Sequence, residues 1–98
     1  MRRWVLDRQA EADLQDQINY LIEREAFDAA ENLLERVAVF VRDFLAVYPR
    51  TGRFLDHRGL WETWIPRTRI VLWYRFTDTE IQIARIWHTS RDRRSSPT

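Results

Sequence analysis

The fold of this chain is decided by residues 67–92, which read RTRIVLWYRFTDTEIQIARIWHTSRD. Arg69–Phe76 and Ile81–His88 are rich in β-branched and aromatic residues, which favour strands. The four residues between them, Thr77-Asp78-Thr79-Glu80, have the polar composition of a turn. The stretch therefore predicts a β-hairpin.

The register of this hairpin follows from where its apolar residues fall. A four-residue loop pairs Phe76 with Ile81, Tyr74 with Ile83, Leu72 with Arg85 and Ile70 with Trp87. One face then carries Ile70, Leu72, Tyr74, Phe76, Ile81, Ile83 and Trp87, with Arg85 as the polar exception. The other face carries Arg69, Val71, Trp73, Arg75, Gln82, Ala84, Ile86 and His88. A three-residue loop would scatter the apolar set over both faces, so we favour four residues.

Two helices are predicted upstream of the hairpin, after a short strand at Arg3–Leu6. The first helix runs from about Arg8 to Glu25, with Asp7 as its N-cap. Asp28 and Glu31 have the spacing of a capping box at the start of the second helix, which Pro49 ends. The apolar stripe of that helix comprises Leu34, Val37, Val41, Phe44, Leu45 and Tyr48.

The segment between the second helix and the hairpin contains one loop and one strand. Arg50–Gly59 is basic and has no strand pattern, and Gly52 is expected to allow a turn with positive φ. Leu60–Ile65 reads as a strand that stops before Pro66. The order β-α-α-β-β-β predicts an α+β fold, in which a helical hairpin packs on one face of a mostly antiparallel four-stranded sheet. We expect residues 1–98 to form a single domain, with 93–98 as a partly disordered tail.

Composition narrows the class of protein. The 98 residues include no cysteine, which excludes a disulfide framework, a thiol nucleophile and a cysteine metal site. No apolar run is long enough to span a bilayer, so a cytoplasmic protein without membrane contact is expected. Residues 1–48 carry a net charge of −4 and residues 49–98 a net charge of +5, and every basic side chain is arginine. A basic half of this kind suits an acidic partner or a phosphate backbone.

The candidate site consists of arginines interleaved with aromatic rings. We predict a partner-binding set of Arg69, Trp73, Arg75, Arg85, His88 and Arg91, since arginine and aromatic residues dominate binding hot spots. If Arg85 points to the core side, it needs a carboxylate there, and both Asp13 and Asp16 are candidates. His57 and His88 are the only histidines and stand apart in the sequence, so no metal site, cofactor or catalytic residue is predicted.

Several short motifs give the chain a family resemblance. They are Pro49-x-x-Gly52, Tyr74-Arg75, Ile81-x-Ile83-x-Arg85-Ile86-x-His88 and Arg91-Asp92. Together with the order of elements, they resemble the ParE branch of the ParE/RelE toxins, the toxic halves of bacterial type II toxin–antitoxin pairs. The resemblance implies the same fold, inhibition of DNA gyrase by binding, and neutralisation by a cognate antitoxin. That antitoxin is expected to be of ribbon-helix-helix type, with an acidic C-terminal tail.

Two alternatives stay open at this point. One is a RelE-like endoribonuclease that cuts mRNA on the ribosome, in which case Arg91 and Arg69 would supply the cations. Such nucleases usually carry a tyrosine or histidine beyond that arginine, whereas residues 92–98 contain neither. The other alternative is a non-toxic binding module of the same fold. Direct contact with nucleic acid is compatible with the gyrase hypothesis but is not required by it.

Overall fold

A computed structural model describes residues 2–89 of the chain. Two helices lie against a five-stranded sheet, which confirms the predicted α+β fold. The strands are β1 (Arg3–Leu6), β2 (Arg53–Leu55), β3 (Leu60–Trp64), β4 (Ile70–Phe76) and β5 (Glu80–His88), and the helices are α1 (Arg8–Glu23) and α2 (Phe27–Val39). The spatial order of the strands is β1-β5-β4-β3-β2; β1 is parallel to β5 and every other pair is antiparallel.

The prediction of four strands misses β2. This strand has only three residues and lies in the basic segment that was expected to be a loop. It pairs with β3 through Arg53 with Glu62, Phe54 with Trp61 and Leu55 with Leu60. Three residues are too few to show an alternating pattern. The strand is therefore recognised only from its pairing with β3 and not from its composition.

The main core lies between the helices and one face of the sheet. Ile70, Leu72 and Tyr74 are buried there, together with Leu14, Val37 and Val41 of the helical layer, as the hairpin pattern predicts. Ile18 and Phe76 pack against this cluster at its margin and are partly buried. The apolar face of the hairpin therefore meets the helices as expected.

A β-bulge changes the predicted hairpin register over half its length. Phe76 pairs with Ile81 and Tyr74 with Ile83, as predicted for a four-residue loop. The register then shifts between Trp73 and Tyr74, so that Leu72 lies opposite Ile86, and Ile70 lies opposite His88. The pairs Leu72 with Arg85 and Ile70 with Trp87 were wrong. The extra residue on β5 brings Ile86 into the main core and moves Trp87 to a second cluster, which a strict two-residue period cannot anticipate.

The second helix differs from its predicted stripe and ends. α2 begins at Phe27 and continues as a π-helical segment at Phe40–Leu45, which ends before Pro49. No capping box forms at Asp28 and Glu31, because no side chain caps this helix. The buried line is Leu33, Val37, Val41 and Leu45, whereas Leu34, Phe44 and Tyr48 are exposed. Steps of four residues overshoot a 3.6-residue α turn, and the wider π turn compensates for this drift.

Gly52 has a different role from the one predicted. Its φ of −79° is ordinary for any residue, so positive φ does not explain it. Instead, a Cβ atom at Gly52 would lie 2.5 Å from the Tyr74 hydroxyl and 2.6 Å from the Glu62 carbonyl oxygen. Pro49–Thr51 forms a 3-10 turn whose first carbonyl accepts a hydrogen bond from the Tyr74 hydroxyl at 2.6 Å. The glycine thus lets the chain pass over the buried tyrosine.

Candidate functional site

The six predicted site residues lie in different environments. Arg69 and His88 meet at a cleft, Arg75 and Arg85 form ion pairs, and Trp73 is buried. Arg91 and the predicted tail at 93–98 lie outside the described residues. The predicted set, which lies together along the hairpin in sequence, is thus divided among several locations by the fold.

The cleft lies between α2 and the base of the β4–β5 hairpin. Arg69 and His88 line it together with Arg36 and Arg67, and its volume is about 340 Å³. Arg69 and His88 are adjacent because Ile70 pairs with His88, and the Thr89 amide donates to the Arg69 carbonyl at 2.9 Å. Sequence analysis missed Arg36 and Arg67. The closeness of Arg67 to Arg69 after Pro66 was a usable signal, but nothing in the sequence links Arg36 to them.

Arg85 takes Asp13 as its carboxylate partner. The Arg85 Nε and Nη2 atoms donate to the two Asp13 carboxylate oxygens at 2.7 and 3.0 Å. Asp13 also accepts a hydrogen bond from the Ile86 backbone amide at 3.0 Å. Arg85 and Ile86, which directly follow the bulge, are therefore tied to α1. Of the two carboxylates that the sequence offered, Asp13 and Asp16, it is Asp13 that pairs with Arg85.

Arg75 belongs to a polar network across the strands β4, β5 and β1. Its guanidinium donates to Asp7 at 2.8 Å and to Gln82 at 2.7 Å. Gln82 donates in turn to Glu80, which also pairs with Arg3. The hydrogen bond from Gln82 and the nearby charge of Arg3 lower the pKa of Glu80. Asp7 stands at the N-cap of α1 but makes no cap hydrogen bond, because its carboxylate binds Arg75 instead.

Trp73 lies in a second apolar cluster, on the sheet face away from the helices. The cluster joins Leu55, Val71 and Trp73, and Leu60 and Trp87 pack against it. Only 4% of Trp73 is exposed, and its indole N–H donates to Glu62 at 2.8 Å. The Arg58 guanidinium lies 4.8 Å from the ring centroid. The expectation that this face displays an open mixture of arginine and aromatic rings was wrong at Trp73, because the β2–β3 segment covers the ring.

Exposed aromatic side chains lie on the helical layer instead. Phe40, Phe44 and Tyr48 form a row with ring centroids 5.4 and 5.6 Å apart. Phe44 and Tyr48 are exposed, and a shallow apolar cleft of about 280 Å³ opens beside this row next to Val39 and Pro66. Exposed apolar surface of this kind marks a docking site more often than an isolated exposed side chain does.

The sheet has an incompletely covered edge beside β2. Because β2 pairs only with Leu60–Glu62, the residues Thr63 and Trp64 of β3 extend beyond it. An open hollow of about 500 Å³ lies there, lined in part by Gly52 and Arg53, and Trp64 is 54% exposed. An exposed strand edge can accept a further strand from another chain.

The described residues offer no grouping of metal ligands. Within residues 2–89, no three histidine, aspartate or glutamate side chains come together as a candidate metal site. Neither helix of this part of the chain is long and apolar enough to span a membrane.

Comparison with known proteins agrees with the architecture. The sequence model of a family described as "ParE toxin of type II toxin-antitoxin system, parDE" matches residues 5–93. A search among curated proteins gives no match. A solved structure titled "Chromosomal ParDE TA system from P. aeruginosa" is similar to this chain, with a TM-score of 0.72 and 22% sequence identity, over 90% of this chain and 96% of that one. At this identity the structural similarity shows the fold alone. The family match covers nearly the whole chain, and the chain therefore belongs to the ParE toxin family of type II toxin–antitoxin systems.

Proposed function

We propose that this toxin inhibits DNA gyrase by binding and is neutralised by an antitoxin encoded beside it. The observation that carries the proposal is the family match over residues 5–93. Two features of the chain support it. Arg85 is held in a part-buried ion pair that serves the fold, and the described residues present aromatic and strand-edge surfaces suited to protein partners. Gyrase inhibition requires the protein to act in the cytoplasm.

The antitoxin contact follows from the charge distribution and the open surfaces. A tail that is disordered when free can fold on binding, with an apolar segment on the helical layer and an extended segment at a sheet edge. The net charge of +5 in residues 49–98 predicts that this tail is acidic. Its carboxylates are proposed to pair with Arg69, Arg75 and Arg91. The other members of the proposed partner-binding set are Trp73, Arg85 and His88, which lie on the strands β4 and β5 of the same hairpin.

Expression in bacteria tests the gyrase proposal. A gyrase inhibitor that traps cleaved DNA is expected to induce the DNA-damage response, and the purified toxin should block supercoiling by gyrase. Cuts in mRNA on stalled ribosomes without DNA damage would refute gyrase as the target and establish the nuclease alternative. An absence of toxicity, together with no effect on either target, would favour a binding module.

Calorimetric titration with the antitoxin tail tests the binding surface. Arg75→Ala is compared with Arg42→Ala, since Arg42 is likewise an exposed arginine in one ion pair, with Asp43. We expect Arg75→Ala to weaken binding by about 2 kcal/mol or more if its carboxylate pair with the tail is desolvated, and Arg42→Ala to leave the affinity unchanged. Equal affinities would place the antitoxin elsewhere.

A further inference from the structure

The cleft beside α2 has a lining unlike that of the hollow beside β2, which includes Glu62, and of the apolar cleft beside Phe44, which includes Asp43. Its lining includes three arginines and one histidine, and none of the described residues that line it is acidic. Arg36 approaches from α2, whereas Arg67 and Arg69 approach from the turn between β3 and β4. Cations thus converge on one space from two separate elements.

Arg36 and Arg67 are available for a ligand. Both are exposed, and neither guanidinium forms a salt bridge or hydrogen bond with residues 2–89. Most other arginines near the sheet are engaged, including Arg53 with Glu62 and Arg85 with Asp13. The charges of Arg36 and Arg67 at one concavity raise the local potential and favour an anion there.

The backbone at Arg67 adds a second observation. Its φ is +62°, in the left-handed region that is uncommon for residues other than glycine, asparagine and aspartate. A side chain in this conformation costs about 1–2 kcal/mol relative to an ordinary one. Glycine would adopt the turn without that cost, yet an arginine stands here and lines the cleft.

The arrangement suits a phosphate better than a carboxylate. A carboxylate is planar and is usually held by one or two forks from one side, whereas a phosphate presents oxygens in several directions. The Asn32 side chain adds a polar group to the lining, and Leu21, Leu33 and Ile70 add apolar ones. A nucleotide unit matches both parts of this lining, because its phosphate is charged and the face of its base is apolar.

We infer that this cleft binds the phosphodiester backbone of a nucleic-acid strand, with Arg36 and Arg67 as the main contacts. The inference goes beyond the proposed inhibition of gyrase, since it assigns to the toxin a direct contact with nucleic acid. It adds a role for Arg69 and His88, which line the same cleft. The binding is independent of base sequence, because the contacts address phosphate rather than base edges.

The test measures binding of the full chain to short fluorescent oligonucleotides by anisotropy, without gyrase. Single-stranded DNA and RNA of the same sequence are compared, at several salt concentrations. The test variant is Arg36→Gln with Arg67→Asn, because asparagine tolerates the left-handed backbone. The matched control is Arg8→Gln with Arg42→Gln, which removes the same charge from exposed positions outside the cleft. The control also accounts for binding by the arginines of residues 90–98, which both variants retain.

We expect the test variant to bind at least tenfold more weakly than the control, since each lost charged hydrogen bond weakens binding by about that factor. The slope of log K against log salt should fall by about one for each arginine removed, and the control should keep the wild-type slope. A preference for DNA or for RNA identifies the source of the strand. Equal binding by the two variants, or no binding by the wild type at 50 mM salt, would overturn the inference, as would cleft-dependent binding of an acidic peptide without binding of either nucleic acid.

Folding of both variants is checked by thermal unfolding. If the double variant does not fold, Arg36→Gln alone carries the test, since it replaces an exposed helical residue by a good helix former. Because gyrase is absent, a negative result leaves the gyrase proposal untouched, and loss of that proposal leaves this one untouched.

Discussion

Replacing Gly52 by alanine should destabilise the protein through a steric conflict. The added Cβ atom would lie 2.5 Å from the Tyr74 hydroxyl and 2.6 Å from the Glu62 carbonyl oxygen, whereas ordinary contacts begin at 3.4 Å. The φ of −79° at Gly52 suits alanine, so backbone strain contributes nothing. Any loss of stability would therefore come from packing.

The magnitude combines three contributions. Overpacking a filled site costs about 1–3 kcal/mol. Moving the Tyr74 hydroxyl breaks its hydrogen bond to the Pro49 carbonyl, and leaving a buried polar group unsatisfied costs about 1–3 kcal/mol more. Alanine also lowers the conformational entropy of the unfolded chain, which stabilises the folded state by about 0.4–1 kcal/mol relative to glycine. We expect a net loss of about 1–6 kcal/mol, to be compared with the ~5–15 kcal/mol that stabilises a domain.

Urea unfolding of a double-mutant cycle provides the assay. The four proteins are the wild type, Gly52→Ala, Tyr74→Phe and the double variant. Removing the hydroxyl relieves one of the two contacts, so Gly52→Ala should cost about 1 kcal/mol less in the Tyr74→Phe background. Gly59→Ala serves as the control. Nothing lies within 4 Å of its Cβ position, and only its φ of +65° opposes the change, at a cost of about 1–2 kcal/mol. If Gly52→Ala is as stable as the wild type, or costs the same in both backgrounds, the steric argument is wrong.

Three further predictions concern the core and its polar contacts. Asp13→Ala should lower the free energy of unfolding by about 2–3 kcal/mol, because it leaves Arg85 and the Ile86 amide without their acceptor; a loss under about 1 kcal/mol in urea unfolding would contradict this. Leu72→Ala should cost about 2–5 kcal/mol in the same assay, since the side chain is fully buried, and a smaller loss would mean that the core can collapse around the cavity. Burial raises the pKa of Tyr74 to about 12, whereas the unfolded side chain ionises near pH 10. As the pH rises, the unfolded state thus loses the Tyr74 hydroxyl proton before the folded state does. The contribution of Tyr74 to the free energy of unfolding is therefore complete below pH 10, and up to about 2–3 kcal/mol of it is lost as the pH rises to 12. Between pH 9 and pH 11 the wild type should therefore lose more stability than Tyr74→Phe does, and parallel losses would show that the tyrosine does not titrate in this way.

Local pattern was sufficient for most of the fold. Alternation in Arg69–Phe76 placed Ile70, Leu72 and Tyr74 in the core, and the composition of the turn set the register next to it. Helical periodicity located both helices, because burial of one face imposes a repeat on the residues themselves. These features depend on neighbours within a few positions, which a sequence displays directly.

The remaining features depend on contacts between distant residues. The bulge that moves Ile86 inward and Trp87 outward is held by Asp13, which is 73 residues from Ile86. Trp73 is covered by Leu55 of β2, and β2 belongs to the sheet only through its pairing with β3. Arg36 meets Arg67 because α2 crosses the base of the hairpin, and no spacing in the chain records that crossing. The sequence by itself determined the two helices, the hairpin and the face of β4 that enters the main core, because each of these repeats over neighbouring residues. The tertiary structure alone decided which charges meet, since an ion pair or a shared cleft produces no periodic pattern in either segment.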